Sequence, residues 1–133
     1  MKPLTLFDVK TAAQAISDYK ADFWYSAVPM NVGIMADPAC KGYDLSSLKL
    51  CLTSSFGIQL TREIAEQWGE FTKGGLLVEG AYGLSETHTA DTFVPRQHIK
   101  YDTCGIPGPG QGNDQGFRIF GLSRRSGIAA QYP

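Results

Sequence analysis

Apolar and polar residues alternate along this chain in two rhythms, and the switches between them outline successive elements. After Asp8, a residue type suited to capping, Ala12, Ile16 and Tyr19 fall at i, i+4 and i+7. That spacing predicts a helix through "TAAQAISDYK" with those three side chains on its buried face. The run "ADFWYSAV", residues 21–28, is short, apolar and aromatic, and predicts a buried strand ended by Pro29. Proline at a first helical position opens a helix through "MNVGIMAD", which stops before Pro38. A turn-rich connection, "ACKGYDLSS", leads to a second strand, "LKLCLTSS", residues 48–55. The clearest helix, "REIAEQWGEFTK", follows the capping residue Thr61, with Ile64, Ala65, Trp68 and Phe71 as its inward stripe. Leu60 is placed to pack on Ala65 as a hydrophobic staple, and Gly74 ends the helix. "LLVEG", residues 76–80, is then a third strand.

Strand, helix, strand, helix, strand with apolar strands implies right-handed crossovers and an α/β fold: a parallel sheet flanked by helices and covered on both faces. Ligands of such sheets gather beyond the carboxyl ends of the strands. Two small-residue loops, 53–57 and 80–86, fall at those ends.

Composition narrows the classes. The 133 residues suffice for one domain, and the formal net charge of -1 gives no electrostatic argument for nucleic acid or an anionic membrane as main partner. The start "MKPLTLFDVK" has no long apolar run, so neither a signal peptide nor a transmembrane helix is expected there. Cys40, Cys51 and Cys104 are widely spaced, which fits neither a disulfide framework nor a zinc site and suits a reducing, cytoplasmic setting. Cys51 lies in an apolar strand and reads as a small core residue.

The chemistry is concentrated after the third strand, in "EGAYGLSETHTADTF". Gly80 and Gly83 allow unusual backbone angles and close approach of a flat ligand. Tyr82 offers an aromatic face, Ser85 a hydroxyl for a phosphate oxygen, and Glu86 a carboxylate for Mg²⁺ riding on that phosphate. The same residues suit a plain turn with Tyr82 packed inward and Glu86 in water, and residue types alone leave both readings open. His88 and His98 lack metal-binding spacing and read as structural or surface residues. Trp24, Tyr25 and Met30 read as core rather than as an acyl tunnel, and "RRSG" as a solvated basic patch.

"LVEGAYGLSET", residues 77–87, is similar to the Tyr-Gly-[Leu/Met]-[Ser/Thr]-Glu signature of the AMP-forming acyl-CoA synthetases, the adenylate-forming ligases. "AVPMNVGIMADP", "DLSSLKLCLTSS" and "CGIPGPG" resemble further segments of that family in the same order, from Phe7 to Gly110, with fatty-acid–CoA ligases the nearest subgroup. The resemblance implies that residues 1–110 are an α/β adenylate-binding part of the family's large N-terminal domain and residues 111–133 a divergent tail. It implies an adenine pocket lined by Ser54, Ser55, Phe56 and Gly57, although bulky Phe56 departs from the family's Gly/Ala-rich loop. It implies a base stacked on Tyr82, a backbone strip of Gly80, Ala81, Gly83 and Leu84, an α-phosphate contact at Ser85 and Mg²⁺ at Glu86, with Ser85 and Glu86 as catalytic residues. The implied substrates are a fatty acid, ATP and coenzyme A, joined through acyl-AMP.

The family's phosphate loop ending in Pro-Lys-Gly, its ribose-binding aspartate and its carboxy-terminal lysine have no counterpart in these residues. Those groups supply most of the charge stabilisation that phosphoryl chemistry needs. The chain therefore reads as an internal piece of a ligase, inactive alone. A non-catalytic α/β remnant without nucleotide affinity is the other reading. The tail "QGNDQGFRIFGLSRRSGIAAQYP" loses the family pattern, as a truncation, a frame change or a separately evolved terminus would each produce. A sheet without neighbouring strands is also expected to self-associate.

Overall fold

The computed structural model describes residues 6–80, 82, 83, 85–87, 91–95, 97–101 and 103–107. They divide between two compact units, Met1–Val78 and Glu79–Pro133. The expected boundary between residues 110 and 111 lies outside the described residues.

The first unit holds helices α1 (Val9–Tyr19), α2 (Val28–Ala36) and α3 (Arg62–Phe71), and strands β1 (Phe23–Ala27), β2 (Leu50–Ser54) and β3 (Leu76–Glu79). A 3-10 turn at Pro38–Gly42 leads from α2 toward β2. The strands form a parallel sheet in the order β1-β2-β3. In β1 and β2, Trp24 pairs with Cys51, Ser26 with Thr53, and Ala27 with Ser54. A right-handed crossover that always steps to the next strand puts α2 and α3 on the same face, and the two helices touch there.

Local chemistry sets the boundaries. The Asp8 carboxylate accepts from the Thr11 backbone N–H at 2.7 Å and caps α1. Thr61 Oγ1 accepts from the Ile64 N–H at 3.3 Å and caps α3. α3 ends where Thr72 Oγ1 donates to the Trp68 carbonyl at 2.8 Å and accepts from the Gly75 N–H at 3.0 Å. Gly74, in left-handed backbone, donates to the Gly69 carbonyl at 2.8 Å. This is the glycine-assisted helix end that the sequence predicts.

Ala13, Val28, Ile34, Cys51, Trp68 and Leu77 are among the residues closed off from solvent. Trp68 lies 6.0 Å from Trp24 and 6.4 Å from Phe71, ring centre to ring centre. Its indole N–H has no hydrogen-bond partner among the described residues, and packing holds it. α1 packs on α2, where Gly33 faces Val9 so closely that a methyl group would come within 2.9 Å of a Val9 methyl.

Three expectations change. Tyr19 is 66% exposed and does not join Ala12 and Ile16 in the core; the buried residue beside them is Ala13. Tyr19 is the last residue of α1, and the chain leaves the helix at Lys20 in left-handed backbone. β1 is not a buried strand: Phe23 and Tyr25 are 50% and 57% exposed, while Trp24 is half-buried and Ser26 buried. Alternate side chains point to opposite faces, and α2 and α3 cover only the face of Trp24 and Ser26. Tyr25 is thus a surface residue, and the sheet is not covered on both faces by these helices.

The second unit contains a 3-10 turn at Ser85–Thr87 and a two-stranded antiparallel pair, β4 (Thr92–Phe93) with β5 (Ile106–Pro107).

Candidate functional site

Each loop that follows a sheet strand is built by its own hydrogen bonds. Ser54 closes β2. The Phe56 N–H then donates to the Ser54 carbonyl at 2.8 Å, and Ser55 Oγ accepts from the Leu60 N–H at 2.9 Å. Gly57 turns the chain with a φ of 79°. Nothing would crowd a Cβ there, so conformation and not space calls for glycine. Ser54 is half-buried and Ser55 exposed, whereas the Phe56 ring is 78% exposed and stands out into water.

β3 ends at Glu79 and passes into half-buried Gly80. Tyr82 is anchored through its backbone: its N–H donates to the Thr92 carbonyl at 3.1 Å, and its carbonyl accepts from the Asp91 and Thr92 N–H groups at 2.9 and 3.1 Å. Tyr82 is 36% exposed. Gly83 is half-buried, and Ser85 and Glu86 are adjacent, exposed residues of the 3-10 turn. Ala81, Leu84 and His88 lie outside the described residues, and His98 is exposed.

β4 and β5 support Tyr82 indirectly. Thr92 Oγ1 donates to the Cys104 carbonyl at 2.5 Å, and Gly105, with a φ of 84°, lets the backbone pass the Phe93 carbonyl. A Cβ at Gly105 would overlap that carbonyl.

The structure thus gathers Ser54–Gly57 into one turn and Ser85 with Glu86 into another, in two separate units. Among the described residues no three His, Cys, Asp or Glu side chains cluster as a metal cage. The exposed Glu86 carboxylate fits a Mg²⁺ that takes its remaining ligands from phosphate and water, as Mg²⁺ ordinarily does.

The sequence reading passed over a buried polar cluster behind the β2 loop. Asn31, fully buried in α2, accepts at Oδ1 from Ser26 Oγ at 2.7 Å and from Thr53 Oγ1 at 3.1 Å. Its Nδ2 donates to Cys51 Sγ at 3.4 Å. The available signal was one amide in an otherwise apolar helix, where an unpaired polar group would be costly. Cys51 is the inert core thiol that the strand pattern suggested. Burial pushes its pKa up, partly offset by its hydrogen bonding with Ser26 and Asn31.

The profile of a family described as AMP-binding enzyme matches residues 1–113. The chain is 36% identical over 108 residues to a long-chain-fatty-acid–CoA ligase of Bacillus subtilis, covering 80% of this chain and 18% of that protein. It is 28% identical over 108 residues to a probable 4-coumarate–CoA ligase of Dictyostelium discoideum, covering 81% of this chain and 19% of that protein. Among solved structures, an anthranilate–CoA ligase in complex with anthranoyl-AMP superposes with a TM-score of 0.64 at 24% identity, over 74% of this chain and 18% of that one. A long-chain-fatty-acid–CoA ligase from Archaeoglobus fulgidus gives 0.60 at 21% identity, over 77% and 22%. The chain belongs to the AMP-binding enzyme family, among the acyl-CoA ligases. It spans about a fifth of the length of the curated relatives it matches.

Proposed function

We propose that this chain carries the adenylate-recognition part of a fatty-acid–CoA ligase. The observation that carries the reading is the Tyr82–Glu86 stretch directly after a parallel strand, with Tyr82 fixed by its backbone and Ser85 and Glu86 open to a ligand. The 36% identity to the Bacillus subtilis ligase favours a long-chain acid as the acyl substrate. In the complete reaction the acid's carboxylate oxygen attacks the α-phosphorus of ATP and pyrophosphate leaves. The thiol of coenzyme A then displaces AMP from the acyl carbon.

Tyr82 stacks on adenine; the Ser54–Gly57 turn is the one that the family resemblance assigns to the base. The backbone of Gly80 and Gly83 lies along the adenylate. The Ser85 hydroxyl donates to an α-phosphate oxygen. Glu86 would hold a Mg²⁺, which would supply neutralisation of charge on the phosphate. By itself the chain is inactive, since Ser85 and Glu86 do not replace the family's phosphate loop and lysine.

A second reading, an α/β scaffold without nucleotide affinity, is favoured by one observation: Phe56 is a bulky, exposed ring in the expected adenine turn. Titration with AMP, followed by NMR amide shifts, separates the two. Stacking and two or three hydrogen bonds contribute about 1 kcal/mol each, against several kcal/mol for immobilising the ligand. The expected affinity is therefore millimolar or weaker, with shifts clustered at residues 80–87. Shifts centred elsewhere, or none at saturating millimolar AMP with the fold intact, would leave the motif a structural relic.

A further inference from the structure

The apolar helix α2 carries one amide into the core, and its hydrogen bonds end on two different strands. Asn31 Oδ1 uses both lone pairs, on the hydroxyls of Ser26 in β1 and Thr53 in β2. Since Ser26 spends its single proton there, its 3.3 Å contact with Cys51 Sγ requires the thiol to be the donor. Asn31 Nδ2 donates back to the same sulfur. The result is a closed ring in which Cys51 donates to Ser26, Ser26 to Asn31 and Asn31 to Cys51, with Thr53 joined from the side. All four residues are buried, and the ring needs a protonated thiol, the form that burial favours.

The ring occupies a telling place. Ser26 and Thr53 are register partners, each one residue before its strand ends, at Ala27 and Ser54. The turn that the proposed function assigns to adenine begins at Ser54. Apolar side chains of similar volume would fill the same space and leave α2 free to slide against both strands, because apolar contact is not directional. Directed hydrogen bonds fix one arrangement.

We propose that Asn31 is a positioning residue: it clamps the ends of β1 and β2 to α2 and so sets the geometry of the Ser54–Gly57 turn. The clamp is a property of the fold; its use in holding a nucleotide base rests on the adenylate reading above.

The test uses amide hydrogen exchange in Asn31→Leu, Thr53→Val and Thr53→Ser. The reporters are the amides of Phe56 and Leu60, bonded to the Ser54 carbonyl and to Ser55 Oγ, with Ala13 and Val78 as core references. Losing the clamp should speed exchange at Phe56 and Leu60 about tenfold relative to the references in Asn31→Leu and Thr53→Val. Thr53→Ser keeps the hydroxyl and should restore the wild-type ratio. If Asn31→Leu does not fold, the two Thr53 variants decide alone. Equal acceleration at all four amides, or no change at Phe56 and Leu60, would overturn the proposal. AMP titration of the same samples separates the two claims. A loosened turn in the variants with no AMP shifts in the wild type supports the clamp and sinks the adenylate reading. AMP shifts in the wild type beside unchanged turn exchange in the variants sink the clamp alone.

Discussion

At the scale of single residues, the structure shows why particular side chains are needed. The Asp44 carboxylate accepts from Ser46 Oγ at 2.6 Å, from the Ser46 N–H at 3.1 Å and from Lys20 Nζ at 3.1 Å. These bonds hold its pKa well below the ordinary aspartate value, the Ser46 hydroxyl most of all. A lowered folded-state pKa means that this group's contribution to stability is complete above the ordinary aspartate range. It is lost as pH falls toward the lowered value. The carbon-13 shift of the Asp44 carboxyl should therefore keep its ionised position as pH falls through the range in which a free aspartate protonates. Ser46→Ala should move that midpoint upward, and an Asp44 midpoint at the ordinary value in the wild type would contradict the geometry.

Gly105 gives the second residue-scale prediction. Left-handed backbone costs a non-glycine residue about 1 kcal/mol, and overlap with the Phe93 carbonyl adds to it. Gly105→Ala should abolish the cross-strand nuclear Overhauser contacts between β4 and β5 and shift the Tyr82 amide, which bonds to Thr92. An unchanged Tyr82 amide would show that β4 and β5 do not support the motif. The sequence marked this glycine only through the resemblance of "CGIPGPG" to a family segment. The need for it arises from Phe93, twelve residues away in the chain.

At the scale of elements, α1, α2, α3, β1, β2 and β3 were legible because each carries its own local signals. Asp8 and Thr61 are caps in the structure as in the sequence, and Gly74 ends α3. Thr61→Ala should cost about 1 kcal/mol, and Thr61→Ser little, as read from thermal unfolding midpoints. Equal midpoints for all three proteins would mean that water replaces the cap. Elements of two or three residues escaped the sequence reading, as did the 3-10 turn of Pro38–Gly42. A two-residue strand has no period to detect, and β4 exists only through its pairing with β5. Tyr19 shows the converse limit: helical spacing placed it on the inward face, but a face is buried only as far as a neighbour reaches.

For the molecule as a whole, β1 presents Phe23 and Tyr25 to solvent on the sheet face opposite α2 and α3. β1 is also an outer strand of the three. Exposed aromatics on an outer strand favour association. Multi-angle light scattering at rising concentration should show dimers or larger species, and Tyr25→Lys should shift them toward monomer. A strict monomer at high concentration would show that this face stays open. No helix among the described residues is long and apolar enough to cross a membrane.

The order of strands and helices, their caps, the parallel fold class and the place of the Tyr82–Glu86 motif all follow from the sequence by itself. Each depends on residues within about two helical turns of one another, or on crossover handedness, which chirality fixes. Tertiary structure alone decided that Asn31 joins Ser26, Cys51 and Thr53, that Tyr25 faces water, and that Tyr82 is tied to Thr92. The Asn31–Cys51 bond joins residues 20 apart and the Asn31–Thr53 bond residues 22 apart. Such meetings are set by how helices and strands pack, and a buried amide looks the same in sequence whether or not its partners arrive.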